Sequence, residues 1–308
     1  MNSNRDYQKV LKNIYNQLLF EEDFGTVASY IPELAKVSPK KLGVYLQTND
    51  GEGYAYGDAN EKFSIQSISK VFSLSIALSI LGPSLWKRVG VEPSGTAFNS
   101  IVQLEYEKGV PRNPFINPGA IVIADILVTY LNNPKQDFLN YVRTLSGEET
   151  IDYDLKVANS EKKTGYLNAA HINMLKSFGN IQNDVEEVLD FYYHQCSLSL
   201  TCKELAQAFN AFANQDKPFL YNGITLSKSQ VKRMNAIMLS CGFYDESGEF
   251  AFRVGLSGKS GVGGGIAAIL PRGLSIAVWS PRLNKKGNSY MGMRFLEEFT
   301  TETDLSIF

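Results

Sequence analysis

The sequence predicts an α+β fold in which an antiparallel sheet is flanked by helices and an all-helical domain is inserted into the chain. Strand pairs joined by turns are expected near both ends, over 42–56 and 265–280. Between them, apolar residues recur mostly at helical spacing. We therefore expect the two β-rich ends to share one sheet.

The same pattern predicts two domains, and 308 residues are enough for both. Residues 1–74 and 222–308 together form the predicted sheet domain, and residues 75–221 form the helical domain. The functional site is expected at the seam between them, where ligand pockets commonly lie.

Composition excludes several classes of function. Lys and Arg number 30 against 32 Asp and Glu, and the chain has no basic block, so nucleic acid is not expected as a partner. Residues 1–13 are polar and charged, unlike a signal peptide. The longest apolar run, 71–81, contains three serines and is shorter than the ~20 residues of a membrane span. We expect a cytoplasmic protein without membrane contact.

Metal binding and disulfides are not expected either. An odd number of cysteines, Cys196, Cys202 and Cys241, argues for reduced thiols. His194 lies near two of them, but the spacing fits no standard zinc pattern. We therefore predict neither a metal nor an organic cofactor.

The N-terminal third begins with an amphipathic helix over 6–20, whose apolar face comprises Val10, Leu11, Ile14, Leu18 and Leu19. Strands at 42–48 and 54–56 flank a turn. A helix is expected to begin near Ser67. The segments 93–95 and 111–119 read as loops, in which Asn117 is extended because it precedes Pro118. This second loop is either an ordinary turn or a rigid support for the Asn117 amide.

Helices dominate the middle of the chain. They are expected over 120–131, over 160–178 with Gly179 as the C-cap, and over 185–192. Further helices begin at two capping boxes, Thr201 with Glu204 and Ser227 with Gln230. If the helix over 160–178 is continuous, Glu161 and Asn168 share a face, although Gly165 between them weakens this prediction.

Beyond Cys241 the sequence becomes rich in glycine. Residues 242–248 read as a polar loop suited to a mobile lid. Residues 258–265 carry five glycines, which let backbone N–H groups approach a ligand, although the order of residues is not that of a phosphate-binding loop. A helix over 289–301 closes the chain.

Ser67 and Lys70 are the candidate nucleophile and base. On a helix they share a face, and the apolar residues that follow would bury the amine and lower its pKa. Free N–H groups at the start of the helix would hold an oxyanion. The alternative is a helix-starting serine followed by a surface lysine, since the same spacing also begins at Ser38, Ser84 and Ser160.

A second element, Lys259-Ser260-Gly261, supports the catalytic interpretation. Ser-x-x-Lys early and Lys-[Ser/Thr]-Gly late is the order found in β-lactamases and penicillin-binding proteins. The Ser-Asp-Asn element of those enzymes does not occur in this chain.

With these motifs, the chain resembles the serine-dependent glutaminases of the β-lactamase-like superfamily. The block 111–117 (PRNPFIN) is more specific to that family than Ser-x-x-Lys. The matching segments span nearly the whole chain and are 29–32, 63–70, 93–105, 109–120, 176–180, 258–266 and 277–281. The resemblance implies a β-lactamase/transpeptidase-like fold and hydrolysis of L-glutamine to L-glutamate and ammonia through a γ-glutamyl ester. It also implies a homo-oligomer, a dimer or tetramer.

The resemblance assigns roles to individual residues. Ser67 would be the nucleophile and Lys70 its base, while Tyr192, otherwise a core tyrosine, would assist proton transfer to ammonia. Lys259 would support the site electrostatically. The oxyanion hole would use the N–H groups of Ser67 and Val262. The implied substrate-binding positions are Tyr30, Gln66, Ser67, Asn117, Glu161, Asn168, Tyr192, Tyr244 and Val262.

The chemistry of glutamine agrees with this assignment. Its α-ammonium needs a carboxylate such as Glu161, and its α-carboxylate suits neutral donors such as Asn117, Asn168 and Tyr244. Two alternatives remain: a penicillin-recognising carboxypeptidase or β-lactamase, and a non-catalytic binding domain of the same fold.

Overall fold

The computed structural model describes residues 5–95, 100–214, 220–221 and 223–308. Residues 96–99, inside the family-matching segment 93–105, and residue 222, at the predicted domain boundary, lie outside the described part. The helices are α1 (Tyr7–Leu18), α2 (Ser69–Leu81), α3 (Ile101–Tyr106), α4 (Asn117–Tyr130), α5 (Pro134–Ser146), α6 (Leu155–Thr164), α7 (Tyr166–Ser177), α8 (Val185–Cys196), α9 (Cys202–Ala213), α10 (Lys228–Cys241), α11 (Ser247–Arg253) and α12 (Tyr290–Thr303).

The strands are β1 (Thr26–Val27), β2 (Gly43–Thr48), β3 (Gly53–Gly57), β4 (Phe63–Ser64), β5 (Asp152–Tyr153), β6 (Leu198–Leu200), β7 (Leu220–Tyr221), β8 (Ile224–Thr225), β9 (Ser257–Ser260), β10 (Gly265–Leu270), β11 (Leu274–Trp279) and β12 (Arg282–Leu283). The main sheet has the order β3-β2-β11-β10-β9, and every pair in it is antiparallel.

The central pairing of this sheet joins the two ends of the chain. Strand β2 pairs with β11 so that Val44 lies opposite Val278 and Leu46 opposite Ile276. The prediction that both β-rich ends share one sheet is therefore confirmed. The domain limits themselves, 1–74 with 222–308 against 75–221, stay a prediction.

Alternation along the strands separates two cores. On β10, Ile266 and Ala268 face a core that includes residues of α1 and α12, whereas Ala267 and Ile269 face the core formed with the helical middle of the chain. Successive strand residues point to opposite faces, so a fully apolar strand is buried on both sides. Helix α9 packs across β2, β10 and β11 and also contacts α5.

Helix α2 lies in the centre of the larger core. Every residue from Ser69 to Leu78 is buried, and the helix contacts α4, α8 and α10. The helical stretch Gln66–Lys87 is long and apolar enough to cross a membrane by composition, but 67% of its most apolar window is buried inside the protein. We interpret it as a core helix.

Both predicted capping boxes are present. Thr201 Oγ1 accepts from Glu204 N while Glu204 Oε2 accepts from Thr201 N, and Ser227 and Gln230 make the same reciprocal pair. Such pairs satisfy backbone donors that a helix start leaves free. The hairpin of β10 and β11 and the closing helix α12 also agree with the sequence prediction.

Three predictions about local structure were wrong. The helix expected over 160–178 is two helices, because Gly165, a poor helix former, adopts a non-helical ψ of 30° between them. Asn117 is the first residue of α4 rather than part of an extended loop, because a proline is tolerated in the first helical turn. Leu19 follows the end of α1 and is 60% exposed.

The glycine-rich C-terminal segments also differ from expectation. Residues 242–248 are not a polar loop, because Tyr244–Glu246 form a 3₁₀ turn before α11 and Phe243, Tyr244 and Glu246 are buried. Lys259 and Ser260 belong to strand β9 rather than a loop, since they pair with Ala267 and Ile266 of β10. Sheet pairing outweighs the low strand propensity of the glycines there.

Candidate active site

Residues from distant parts of the chain enclose a cavity of about 340 Å³. Eight residues singled out from the sequence line it: Tyr30, Gln66, Ser67, Asn117, Glu161, Asn168, Tyr192 and Val262. The remaining wall is formed by Ile31, Thr164, Gly165, Leu167 and Cys196. Three other predicted residues, Lys70, Lys259 and Tyr244, are buried behind this wall.

Ser67 lies in the 3₁₀ turn Gln66–Ile68 that precedes α2. The preceding residue, Gln66, is buried and has φ +50°, a conformation that non-glycine residues rarely adopt. Such strain persists only where surrounding contacts hold it, and it is concentrated at functional sites. The turn therefore presents Ser67 to the cavity in a fixed position.

The segment 261–263 closes onto this turn. A side chain at Gly261 would lie 2.3 Å from the Ile65 carbonyl oxygen, and one at Gly263 would lie 2.0 Å from the Ser64 carbonyl oxygen. Only glycine permits this approach of two backbones. Among the described residues, the N–H of Val262 donates to no backbone carbonyl, so it is free to bind an oxygen in the cavity.

The Lys70 amine is buried one turn below Ser67. Its Nζ donates to the carbonyl oxygen of Phe115 at 3.2 Å and to Asn117 Oδ1 at 2.8 Å. Burial lowers the pKa of Lys70 to about 8, against the opposing effect of the Cys196 and Glu161 side chains. No hydrogen bond joins Lys70 to Ser67 in the described part of the chain; in enzymes without substrate, catalytic hydrogen bonds are often long.

Lys259 is the second buried amine, held by the carbonyl oxygens of Gly242 at 2.9 Å and Ser260 at 2.6 Å. Its pKa lies well below the ordinary value, first because of burial and second because of the positive charge of Lys70. The charge of Lys70 thus adds to burial in disfavouring the charged form of Lys259.

Asn117 joins the buried amine to the cavity wall. Its oxygen accepts from Lys70, and its Nδ2 donates to Asn168 Oδ1 at 3.0 Å. The two amides belong to α4 and α7, and the break at Gly165 does not prevent Asn168 from lining the same cavity as Glu161. The amide orientation of both residues is therefore tied to Lys70.

Glu161 places a carboxylate in the wall of the cavity. Its Oε2 is buried and has no hydrogen-bond partner among the described residues. Burial raises the pKa of Glu161 to about 8, although Lys70 and a hydrogen bond with Gln66 act in the opposite direction. A buried carboxylate oxygen without a partner is costly, and a cation bound in the cavity would relieve that cost.

Tyr192 is both a core residue and part of the cavity wall. Burial raises its pKa well above the ordinary value, with further contributions from Cys196 and Glu161. The Lys70 Nζ lies 6.0 Å from the centroid of its ring. The phenol therefore keeps its proton at neutral pH and lies near the buried amine.

Cys196 is a cavity residue that the sequence reasoning missed. The sequence pattern predicts only a reduced thiol that binds no metal, whereas the Cys196 side chain lines the cavity beside Tyr192. Burial raises the pKa of this thiol, which makes it a poor nucleophile. Its position follows from helix α8, where it lies four residues after Tyr192 and therefore on the same face.

Tyr244 lies on the inner side of the nucleophile. Its hydroxyl lies beside the side chains of Ser67 and Ser260, and burial raises its pKa to about 12. The Lys259 Nζ lies 4.3 Å from the centroid of its ring. Tyr30, in contrast, lines the cavity while 57% of its surface is exposed.

Within the described residues, no group of three or more His, Cys, Asp and Glu side chains could hold a metal ion. The groups in the cavity wall are a hydroxyl, phenols, amides, a thiol and one carboxylate, with two buried amines behind the wall. The expectation that no cofactor is needed remains a prediction.

Comparison with known proteins shows the family to which this chain is similar. The family model described as Glutaminase matches residues 25–308. A glutaminase of Saccharophagus degradans is 58% identical over 303 residues, covering 98% of this chain and 99% of the relative. A glutaminase of Christiangramia forsetii is 53% identical over 303 residues, covering 98% of this chain and 100% of the relative.

Solved structures agree with the sequence matches. The structure described as probable glutaminase ybaS superposes with a TM-score of 0.90 at 34% identity, covering 98% of this chain and 97% of that one. A Bacillus glutaminase solved in 4.3 M NaCl gives a TM-score of 0.83 at 33% identity, with 97% and 99% coverage. The glutaminase-like fold expected from the sequence is therefore confirmed.

Proposed function

Since this chain belongs to the glutaminase family, we propose that it hydrolyses L-glutamine to L-glutamate and ammonia through a γ-glutamyl ester on Ser67. The observation that carries the proposal is the buried, unpartnered Glu161 Oε2 in the same cavity as Ser67. A carboxylate in that position matches the α-ammonium of an amino acid. The solved structure of Mglu in its tris and glutamate form has a TM-score of 0.90 at 30% identity, covering 99% of this chain and 68% of that one.

Substrate binding would use different side chains of the cavity wall for the α-ammonium and for the α-carboxylate of glutamine. Glu161 would pair with the α-ammonium, while the amides of Asn117 and Asn168 would donate to the α-carboxylate. Tyr30 and Gln66 complete the wall near the same groups. Hydrogen bonds to both α-groups would reject analogues that lack either one.

Acylation would begin with attack of Ser67 Oγ on the γ-carbonyl carbon, as the serine proton passes to Lys70. Burial supports this role for Lys70, because its pKa of about 8 leaves part of the amine neutral near pH 7. The N–H groups of Ser67 and Val262 would hold the oxyanion of the tetrahedral intermediate.

Collapse of the intermediate would break the C–N bond, and the proton that Lys70 took from Ser67 would pass to the leaving nitrogen, with Tyr192 assisting, so that it departs as ammonia. Water would then attack the ester while Lys70 takes one of its protons. That proton would pass to Ser67 Oγ as the ester bond breaks and glutamate is released. Lys259 would support both steps electrostatically through its position near Tyr244 and Lys70.

The decisive experiment measures ammonia release from L-glutamine, D-glutamine and L-asparagine, together with acid quenching of the wild-type enzyme during turnover. We expect release from L-glutamine and a mass increase of one γ-glutamyl group on the peptide that contains Ser67. Turnover by Ser67→Ala at the wild-type rate would overturn the proposal.

We also propose that the chain forms a homo-oligomer, a dimer or tetramer. Size-exclusion chromatography with light scattering would test the expected homo-oligomer.

A further inference from the structure

A buried chain of polar side chains continues behind the nucleophile into a part of the protein that does not touch the cavity. Ser260 Oγ donates to Asn288 Oδ1 at 2.5 Å. Asn288 Nδ2 donates to a carboxylate oxygen of Glu246 and to the carbonyl oxygen of Phe243. All three of Ser260, Asn288 and Glu246 are buried, and none of them lines the cavity.

The direction of each hydrogen bond follows from Glu246. A carboxylate accepts only, so Asn288 must turn its NH₂ group toward Glu246 and its oxygen toward Ser260. The hydroxyl proton of Ser260 is then used on Asn288, because the alternative acceptor, the carbonyl oxygen of Gly242, is 3.4 Å away. Ser260 is left as an acceptor toward any other partner.

That remaining partner is Tyr244. It is buried beside strand β9, with its ring centroid 4.3 Å from Lys259 Nζ, and its hydroxyl lies beside the side chains of Ser260 and Ser67. Because Ser260 has no further proton to give, a hydrogen bond between these two hydroxyls would be donated by Tyr244, and the Tyr244 oxygen would remain an acceptor beside Ser67. Tyr244 would then fix the position of the Ser67 oxygen until the serine proton passes to Lys70.

Asn288 also holds the backbone that carries Tyr244. It binds residues on both sides of Tyr244, the carbonyl of Phe243 and the carboxylate of Glu246. Tyr244 itself has φ +58°, a conformation that must be held by its surroundings in a bulky residue. Asn284 adds two hydrogen bonds to the same carboxylate, at 3.1 and 2.9 Å.

We propose that Asn288, with Ser260 and Glu246, is a positioning unit that orients Tyr244 and through it the hydroxyl of Ser67. This inference rests on the proposed function, because it requires Ser67 as the nucleophile. In this unit, Ser260 of the Lys259-Ser260-Gly261 motif links Asn288 to Tyr244 and does not bind the substrate. Removal of the unit weakens the attack by Ser67 while leaving the cavity walls intact.

The first test compares Ser260→Ala with Ser260→Thr. Ser260→Ala should lower kcat by about ten- to a hundredfold, the range expected when a reacting group is misplaced by up to about 1 Å, while KM for glutamine stays within about twofold because the cavity is unchanged. Ser260→Thr keeps a hydroxyl and should retain most of the activity. Ser275→Ala is the matched control, since Ser275 is equally buried and donates only to the carbonyl oxygen of Ala206.

The second test exchanges the donor and acceptor of the unit. Asn288→Asp places two carboxylates together and should lower kcat strongly. Adding Glu246→Gln provides an amide that donates to the new carboxylate at position 288. The hydrogen bond between the two positions is then restored with its donor and acceptor exchanged, so the double variant should recover much of the lost kcat. Additive effects of the two substitutions, with no recovery, would count against the proposal. This test remains informative if Ser260→Ala does not fold.

Labelling kinetics separate this inference from the proposed function. A diazoketone analogue of glutamine should label Ser67 in the wild type, and Ser260→Ala should be labelled more slowly in proportion to its kcat. If the wild type labels Ser67 but Ser260→Ala reacts equally fast, the positioning role is wrong and the nucleophile assignment stands. If the wild type is not labelled at Ser67, the proposed function itself is wrong.

Discussion

Lys70 Nζ donates a hydrogen bond of 2.8 Å to Asn117 Oδ1, although 47 residues separate them in the chain. The same amide donates to Asn168 through its Nδ2. The base candidate and the amides expected to bind the substrate carboxylate therefore share one hydrogen-bonded network. A change in the protonation of Lys70 would therefore alter its hydrogen bond to Asn117, whose amide lies in the cavity wall.

Ser67 and Lys70 are expected to act as one unit. Ser67→Ala, Lys70→Ala and the double variant should each lose similar, very large amounts of activity, because residues of one catalytic unit are non-additive. Lys70→Arg should not restore activity, since a guanidinium stays protonated. Steady-state kinetics of ammonia release provide the measurement.

The control is a second serine with a lysine three residues later, located on the surface. Ser84 and Lys87 are both exposed, so Ser84→Ala with Lys87→Ala should match the wild type. Thermal unfolding should show that Ser67→Ala is still folded, because the Ser67 side chain makes no helix-capping hydrogen bond at the 3₁₀ turn or at α2. An active Ser67→Ala enzyme, or a diazoketone label on Cys196, would contradict the assignment.

Glu161→Gln should keep the fold and damage substrate use. Loss of a charge-assisted hydrogen bond of about 1.5–3 kcal/mol to the α-ammonium should lower kcat/KM by roughly ten- to a hundredfold. Glu186→Gln on α8 is the control, because Glu186 is exposed. Equal kinetics of Glu161→Gln and the wild type would show that Glu161 does not bind substrate.

Glu161 also predicts how stability changes with pH. Its pKa is about 8 in the folded protein against 4.5 as the ordinary value, so between those values the folded state binds more protons at this group than the unfolded state. Its contribution to stability is therefore complete at low pH and is lost as the pH rises toward 8. Thermal unfolding from pH 5 to 9 should show a smaller decline for Glu161→Gln than for the wild type.

Activity should rise as the pH increases through about 8. Lys70 must lose its proton to act as a base, and Glu161 must be charged to bind the ammonium; the pKa of each is about 8. The two groups interact, so the observed values belong to the pair. In Glu161→Gln the anion that raises the pKa of Lys70 is absent, and the rising limb of kcat should move to lower pH. A rising limb of kcat that lies at higher pH in Glu161→Gln than in the wild type would contradict this prediction.

Glutamine should be strongly preferred over asparagine. The amide of asparagine is one methylene closer to the α-groups, so anchoring both α-groups leaves its carbonyl short of Ser67. A misplacement of about 1 Å costs about a hundredfold in rate. Comparable kcat/KM values for the two amides would show that the α-groups are not anchored as proposed.

Activity should not depend on a metal ion. Exhaustive treatment with a chelator, followed by assay in metal-free buffer, should leave kcat unchanged. Loss of activity that added zinc restores would contradict the proposed reaction, in which the oxyanion is held by N–H groups alone.

Local features of this protein were predictable because their causes are local. The capping boxes at Thr201 and Ser227, the hairpin of β10 and β11 and the apolar helix after Ser67 each depend on residues a few positions apart. Helix α5 was not predicted, although its buried residues Phe138, Leu139 and Val142 have helical spacing; its start follows the helix-breaking segment Asn132-Asn133-Pro134.

Among the site residues, the sequence by itself determined which chemical groups are available, through the Ser67 and Lys70 spacing, the Lys259-Ser260-Gly261 motif and the family resemblance. Tertiary structure alone decided where they lie. Tyr244 sits behind Ser67 rather than in a lid, because Asn288 and Glu246 hold its turn across more than 40 residues of chain. Likewise, the Lys70 pKa depends on burial by residues from several helices. Such contacts arise only when the core closes, so no pattern of neighbouring residues encodes them.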